Sequence, residues 1–510
     1  MFKPHDPMWT RLSRLQREFP AWISSRLTTK LPPRTATLPP HQSEAEQQKI
    51  LQRACAQSCD TDDQTTALKA DSPGTPAADV QAAESDLATF AKVLLIPVCT
   101  DSPATRSRLA LQDKGQFLAR QDRWADLSKM IRSADQQHRR TEGGLPEADL
   151  LACGARADVV NAVDHALQEP SDKTGPNGED RILIEGVMAL EALRREHRHD
   201  AYLTAIVALA HIDIAWVWRS TITSAASQAD DGPRRDTGSA AALAADSTTA
   251  ATPLSGLSSE AHLRRATAHF ERAAALLAPL QAQIQNSAFL SAAHCALFAG
   301  QSAATLQVAD AYAVLIDQDP NNPRPMRALG AQMLPRANGS YAALELEARR
   351  TAARTQGIWG AGGYTWVYFD AMAIDDRACA RVDTKFFLEG MQDILNVDSS
   401  QEMVNLLSAY CAITLSQDAG RKSDQNAKKN RAQIAKAARW LIRSHLHELH
   451  PLIWAHACAG FDNNAHVASL RRFATQGQAR ALHCIAEVFR DELECGHKIA
   501  FTPDGIDLLT

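Results

Sequence analysis

The chain reads as an all-α protein, an irregular solenoid of helix pairs finished by a small C-terminal β-hairpin. Three observations carry that reading. From about residue 88 onward, apolar residues recur at the spacing of amphipathic helices. Strand-like and helix-like segments do not alternate, as they must in a protein built on a parallel sheet. Near the end the period changes to two: Ile499 and Phe501 alternate, Pro503-Asp504-Gly505 makes a strong turn, and Ile506 and Leu508 alternate again.

Composition narrows the function classes. The 510 residues are 45% hydrophobic, ordinary for a globular chain. Ten cysteines are scattered without a Cys-x-x-Cys pair, so reduced thiols and a cytoplasmic location are expected. The N-terminus has no apolar secretory segment. The longest apolar run, Tyr202–Trp218, is read as too short for a membrane span and carries His211 and Asp213. A net charge of −5 gives no reason to expect nucleic acid as a partner.

Charge is uneven along the chain. Residues 1–40 hold seven Lys/Arg against Asp6 and Glu18, a local +5. Residues 1–30 are therefore set apart as a basic amphipathic segment. Trp9, Leu12, Leu15, Phe19 and Trp22 are spaced at near-helical intervals, with Arg11, Arg14, Arg17 and Arg26 between them. If the chain touches a membrane, residues 8–27 would do it; docking on the protein's own body is the plainer expectation. Residues 31–85, rich in Pro, Ser, Thr and Ala, read as a disordered linker.

Residues 86–222 form an expected N-terminal helical lobe. Helices are predicted on either side of Arg120–Asp122, then over about 146–169, 181–197 and 200–220. The low-complexity stretch 223–258 is read as an inter-lobe linker. Residues 259–510 form the second lobe. Its helices are predicted at about 363–374, 383–395, 401–416 and 426–449, with shorter ones to about 494.

Within the second lobe a short pattern recurs. Ala266, Phe270, Ala273 and Pro279 follow a small–aromatic–small rhythm closed by proline, and Val308, Tyr312, Leu315 and Pro320 repeat it. This resembles the second helix of tetratricopeptide-type helix pairs, over about residues 259–325. The resemblance departs from the family in spacing, and the usual Trp-Leu-Gly pattern is absent from the preceding helix. It implies stacked helix pairs and, by analogy, a binding groove; it transfers no catalytic residue.

Three constellations stand out chemically. "GIWGAGGYTWVYFD", Gly357–Asp370, packs four glycines and five aromatics together. It lacks the Lys-[Ser/Thr] of a phosphate loop and follows a helix, so it reads as a helix-to-helix bend. Gly357 is expected to end the first helix and Tyr364 to start the next. Trp359, Tyr364, Trp366 and Tyr368 are the expected lining of a recognition surface, with Arg349 and Arg354 as carboxylate anchors.

The second constellation is "AHIDIAWVWRS", whose His211, Asp213 and Arg219 would be the polar centre if the protein were an enzyme. The third is a histidine-rich tail. His445, His447 and His450 are read as the last turns of a helix stopped by Pro451, and His447 with His450 is the one pair spaced for a shared metal. Asp375-Asp376 is read as a turn cap. The expected function is thus non-catalytic binding of a protein or peptide partner, with a small ligand as the other possibility, and no cofactor.

Overall fold

The computed structural model describes residues 90–168, 178–230, 254–301, 303–416, 424–461 and 469–510. The expected segment 1–30, all of the linker 31–85, and residues 231–253 of the linker 223–258 lie outside them. All described residues belong to one compact unit.

The body opens on an extended strap, where helices were expected. Strand β1 (Leu94–Leu95) is part of it. The apolar run ending at Pro97 explains this, because proline has no amide N–H to continue a helix or a central strand. Helix α1 (Pro103–Arg120) follows, with Ser102 as its N-cap, accepting from the Thr105 N–H at 3.1 Å. Asp122 takes a left-handed φ of 57° and turns the chain into α2 (Trp124–Gln136). Then come α3 (Glu147–Gln168), α4 (Gly178–Glu196) and α5 (Ala201–Asp230).

Helix α3 packs between α1 and α5. The α1–α3 crossing is close: a Cβ on Gly115 would lie 2.0 Å from the Leu151 carbonyl oxygen, and one on Gly154 1.8 Å from that of Gln112. Helix α5 is long and apolar enough over Ala201–Ser220 to cross a membrane by length and composition, so the sequence-based length argument fails. Packing accounts for it instead. Leu203, Ile206, Val207 and Ala210 have no exposed surface, and 72% of the apolar window is buried within the protein.

The second half runs α6 (Leu254–Leu277), α7 (Gln281–Ile284), α8 (Ala288–Phe298), α9 (Thr305–Gln318), α10 (Pro323–Gln332), α11 (Tyr341–Trp359), α12 (Gly362–Ile374) and α13 (Thr384–Val397). Helix α14 (Gln401–Ala409) continues as a π-turn over Tyr410–Thr414. After it come α15 (Gln425–Ala435), α16 (Ala437–Ser444), α17 (Pro451–Cys458), α18 (Leu470–Val488) and α19 (Arg490–Glu494). The expected single helix over 426–449 is therefore two, and it ends at Ser444.

Helices pack on their chain neighbours (α5 on α6, α8 on α9, α11 on α12, α12 on α13) and on next-but-one elements (α1 on α3, α3 on α5, α10 on α12). In the second half the buried residues from Cys295 to Phe501, with Leu94, join in one apolar cluster. Phe270 and Tyr312, the aromatics of the repeated pattern, are both buried. Gly300 leaves room for the Phe270 ring, which a Cβ there would meet at 2.0 Å. Contacts also cross the expected lobe boundary. Helix α5 packs along both α6 and α8, and the Asp135 carboxylate on α2 accepts from the Ser287 hydroxyl at 2.6 Å and the Phe289 N–H at 2.9 Å.

The expected C-terminal hairpin is present as antiparallel β2 (Lys498–Thr502) and β3 (Gly505–Leu509). It is also part of a larger sheet: β1 adds in parallel, with Leu94 opposite Ile499, giving the order β1-β2-β3.

Candidate functional site

The glycine–aromatic bend is core. Helix α11 runs through Gly357 to Trp359, and it is Gly360, at φ 53°, that turns the chain. The expected stop at Gly357 is corrected for that reason. The Ala361 N–H donates to Asp393 at 2.8 Å, fixing the turn. Gly362 and Gly363 lie in the first turn of α12, where a Cβ on Gly363 would come within 2.4 Å of the Thr355 hydroxyl. Helix α12 is apolar on all sides and buried on all sides, as such a pattern requires.

Its aromatics therefore form no recognition wall, and that expectation is corrected. Trp359, Tyr364, Trp366 and Tyr368 are all buried. Trp359 meets Trp366 edge-on with ring centroids 6.0 Å apart, and its indole N–H donates to the Pro320 carbonyl at 2.8 Å. Tyr364 and Tyr368 donate to the same Glu345 oxygen at 2.8 and 2.7 Å. Burial, with Glu345 close by, pushes both phenols up. Arg349 completes the knot, bonding Glu345 at 2.8 Å and Asp383 at 3.0 Å while lying over the Tyr364 ring. Arg354 pairs with Asp317. Both arginines, expected to anchor a partner's carboxylate, already hold carboxylates of this chain.

His211, Asp213 and Arg219 do not converge either, so the polar centre expected of an enzyme is absent as drawn. The Asp213 carboxylate accepts from Arg156 at 2.5 Å. Arg219 donates to the Gly300 carbonyl at 2.8 Å and stacks over Phe270. His211 is buried beside His269, Nδ1 to Nδ1 at 2.8 Å, and 3.4 Å from Glu191, which Arg272 grips through two bonds of 2.6 Å. Burial holds both imidazoles below their ordinary range, His269 at about 4. The Arg272 bond holds Glu191 low.

The tail histidines occupy a loop between α16 and α17, because Pro451 opens a helix and does not close one. His447 and His450 therefore share no helix face, and the metal pair as spaced in the sequence is corrected. The His450 ring lies 2.9 Å from Glu448 instead. Asp375 caps the 3-10 turn Asp376–Ala380, as expected, whereas Asp376 does not cap but accepts from Arg431 at 2.5 Å.

Sequence reasoning missed a different acid. A cleft of about 380 Å³ opens where α2 and α3 meet α8 and α9, lined by Asp135, His138, Arg140, Asp149, Phe289, Asp319 and others. Much of that space is open to solvent, and the interior is narrow, with room for one side-chain tip. Two of its acids are spoken for. Asp135 accepts from Ser287, Phe289 and the Tyr202 hydroxyl, and Asp319 pairs with Arg140.

Asp149 differs. It is surrounded by protein while keeping partial exposure through the cleft, and its carboxylate makes no hydrogen bond or salt bridge among the described residues. Burial pushes its carboxyl up; the fields of Arg324, Arg156 and Arg140 oppose this, and that of Asp135 adds to it. Arg324, exposed at the start of α10, has no salt-bridge partner among the described residues. The sequence signal was modest: one charge set among Ala148, Leu150, Leu151 and Ala152, all buried.

Comparison of the chain with protein families, with characterised proteins and with solved structures gives no match.

Proposed function

We propose that this chain is a non-catalytic helical-repeat binding protein of tetratricopeptide-like build, acting in the cytoplasm, that anchors a protein or peptide partner in the Asp149 cleft. The observation that carries the reading is the half-buried Asp149 carboxylate in this cleft, which makes no hydrogen bond or salt bridge among the described residues. A carboxylate that is half-buried in a cleft and has no donor of its own chain is a poised acceptor. The small cavity suits a single donor-bearing tip, a basic or carboxamide side chain, and not a substrate to be enclosed and converted. Arg324 is placed to take a carbonyl or carboxylate of the same partner. The contacts between next-but-one helices support the repeat build. The enzyme alternative loses its support, since His211, Asp213 and Arg219 each serve a different structural bond.

The test is a peptide array probed with the full-length protein and with Asp149→Asn. Wild type should select peptides with a basic or carboxamide residue at a fixed position, and the variant should lose at least tenfold in affinity while remaining folded. Equal binding by the two proteins would overturn the assignment.

A further inference from the structure

Outside the Asp149 cleft, three metal-type ligands meet. Val98 and Leu449 form an isolated parallel bridge, in which the Leu449 N–H donates to the Pro97 carbonyl at 2.8 Å and the Cys99 N–H to the Leu449 carbonyl at 2.8 Å. Residues two apart on an extended segment point to the same side, so Glu448 and His450 face one way, and the bridge carries Cys99 across to join them. The Cys99 sulfur, a Glu448 oxygen and a His450 nitrogen all lie within 4.8 Å of one another. We propose that Cys99, Glu448 and His450 bind a single divalent transition metal, zinc by preference, leaving one coordination position open to solvent.

Three further observations support this. The donor set is right: thiolate, imidazole and carboxylate are zinc's protein ligands, and three of them with a fourth position free is the arrangement of an open site. The backbone that presents two of the ligands is held from outside. Gln401 on α14 accepts from the His447 N–H at 2.9 Å and the Glu448 N–H at 3.1 Å. Asn405, wholly buried one turn on, accepts from the His450 N–H at 3.0 Å and donates to the Glu448 carbonyl at 2.7 Å. Such outer bonds fix ligand direction before a metal arrives. The site is also partly open, since Glu448 is 37% exposed while His450 is 9% exposed.

Without a metal, burial and the neighbouring Glu448 push the Cys99 thiol up, so it is protonated. Binding then releases that thiol proton to solvent as the metal–sulfur bond forms. A metal here would also tie the N-terminal strap to the loop before α17.

The experiment titrates the chelator-stripped full-length protein with Co²⁺, whose sulfur-to-metal charge-transfer band reports a thiolate ligand, and then displaces it with Zn²⁺. One equivalent should bind with that band. Cys99→Ser should abolish the band, and Glu448→Gln should weaken binding at least tenfold. Cys495→Ser, which removes an exposed thiol elsewhere, should leave both unchanged. Zinc should raise the Tm of wild type and not of Cys99→Ser, which shows that the variant folds and has lost only the site. No band in wild type, or an undiminished band in Cys99→Ser, would overturn the proposal.

Discussion

The Gly357–Asp370 bend and the Asp149 cleft make opposite uses of conspicuous chemistry. The bend concentrates aromatics, glycines and a Tyr–Glu–Arg network, and nearly every polar group in it has a partner; the buried Trp366 indole N–H has none among the described residues. The cleft has an unremarkable composition, yet one carboxylate in it has no partner among the described residues. The difference teaches that residue type marks where a fold is stiff, while a half-open acceptor without a donor marks where it can take something else. Satisfied networks are worth stability, and unsatisfied ones cost it.

Substitutions in the two regions should therefore differ in sign as well as size. The largest effect is expected for Trp366→Ala, which empties the centre of the aromatic core and should cost about 3–5 kcal/mol in chemical denaturation. Glu345→Ala removes the acceptor of two tyrosines and an arginine, for an expected loss of about 2 kcal/mol. Asp149→Asn should move the other way, stabilising the fold by about 1 kcal/mol at neutral pH by removing a desolvated charge. Arg354→Ala breaks a largely exposed pair and should change stability by less than about 1 kcal/mol.

The pH dependence sharpens the same contrast. His269 titrates near 4 in the folded protein because burial disfavours its charged form. Between that value and the ordinary histidine range the unfolded chain binds more protons, so the His269 contribution is present near neutrality and is lost on acidification. Asp149 has the opposite sign. Its folded pKa is raised, so its contribution is full below the ordinary carboxylate range and is lost as pH rises through the folded value. His269→Gln should flatten the acid side of a stability–pH curve, and Asp149→Asn should remove the decline at higher pH. Unchanged curves for both would show that neither group is coupled to folding.

Much of the fold was legible in the sequence, and the site was not. Helices such as Thr384–Val397 carry a clear apolar stripe, and the Pro503-Asp504-Gly505 turn announces the terminal hairpin. The strap at residues 93–99 was lost among helices because a short apolar run has no period of its own; its parallel partner, Ile499, lies at the far end of the chain. The loop at 445–450 was absorbed into a helix because no glycine marks the stop at Ser444. Its shape comes from Gln401 and Asn405, which no local pattern connects to it. Asp149 was invisible for a similar reason, since what distinguishes it is a missing bond, and a missing bond depends on helices α2, α8 and α9 together.

The most direct test of the contrast is thermal unfolding of Asp149→Asn beside wild type at neutral pH. A higher Tm in the variant is expected if the acid is kept for recognition at a cost to the fold. A Tm lowered by several degrees, as in Trp366→Ala, would make Asp149 one more structural contact and contradict the assignment.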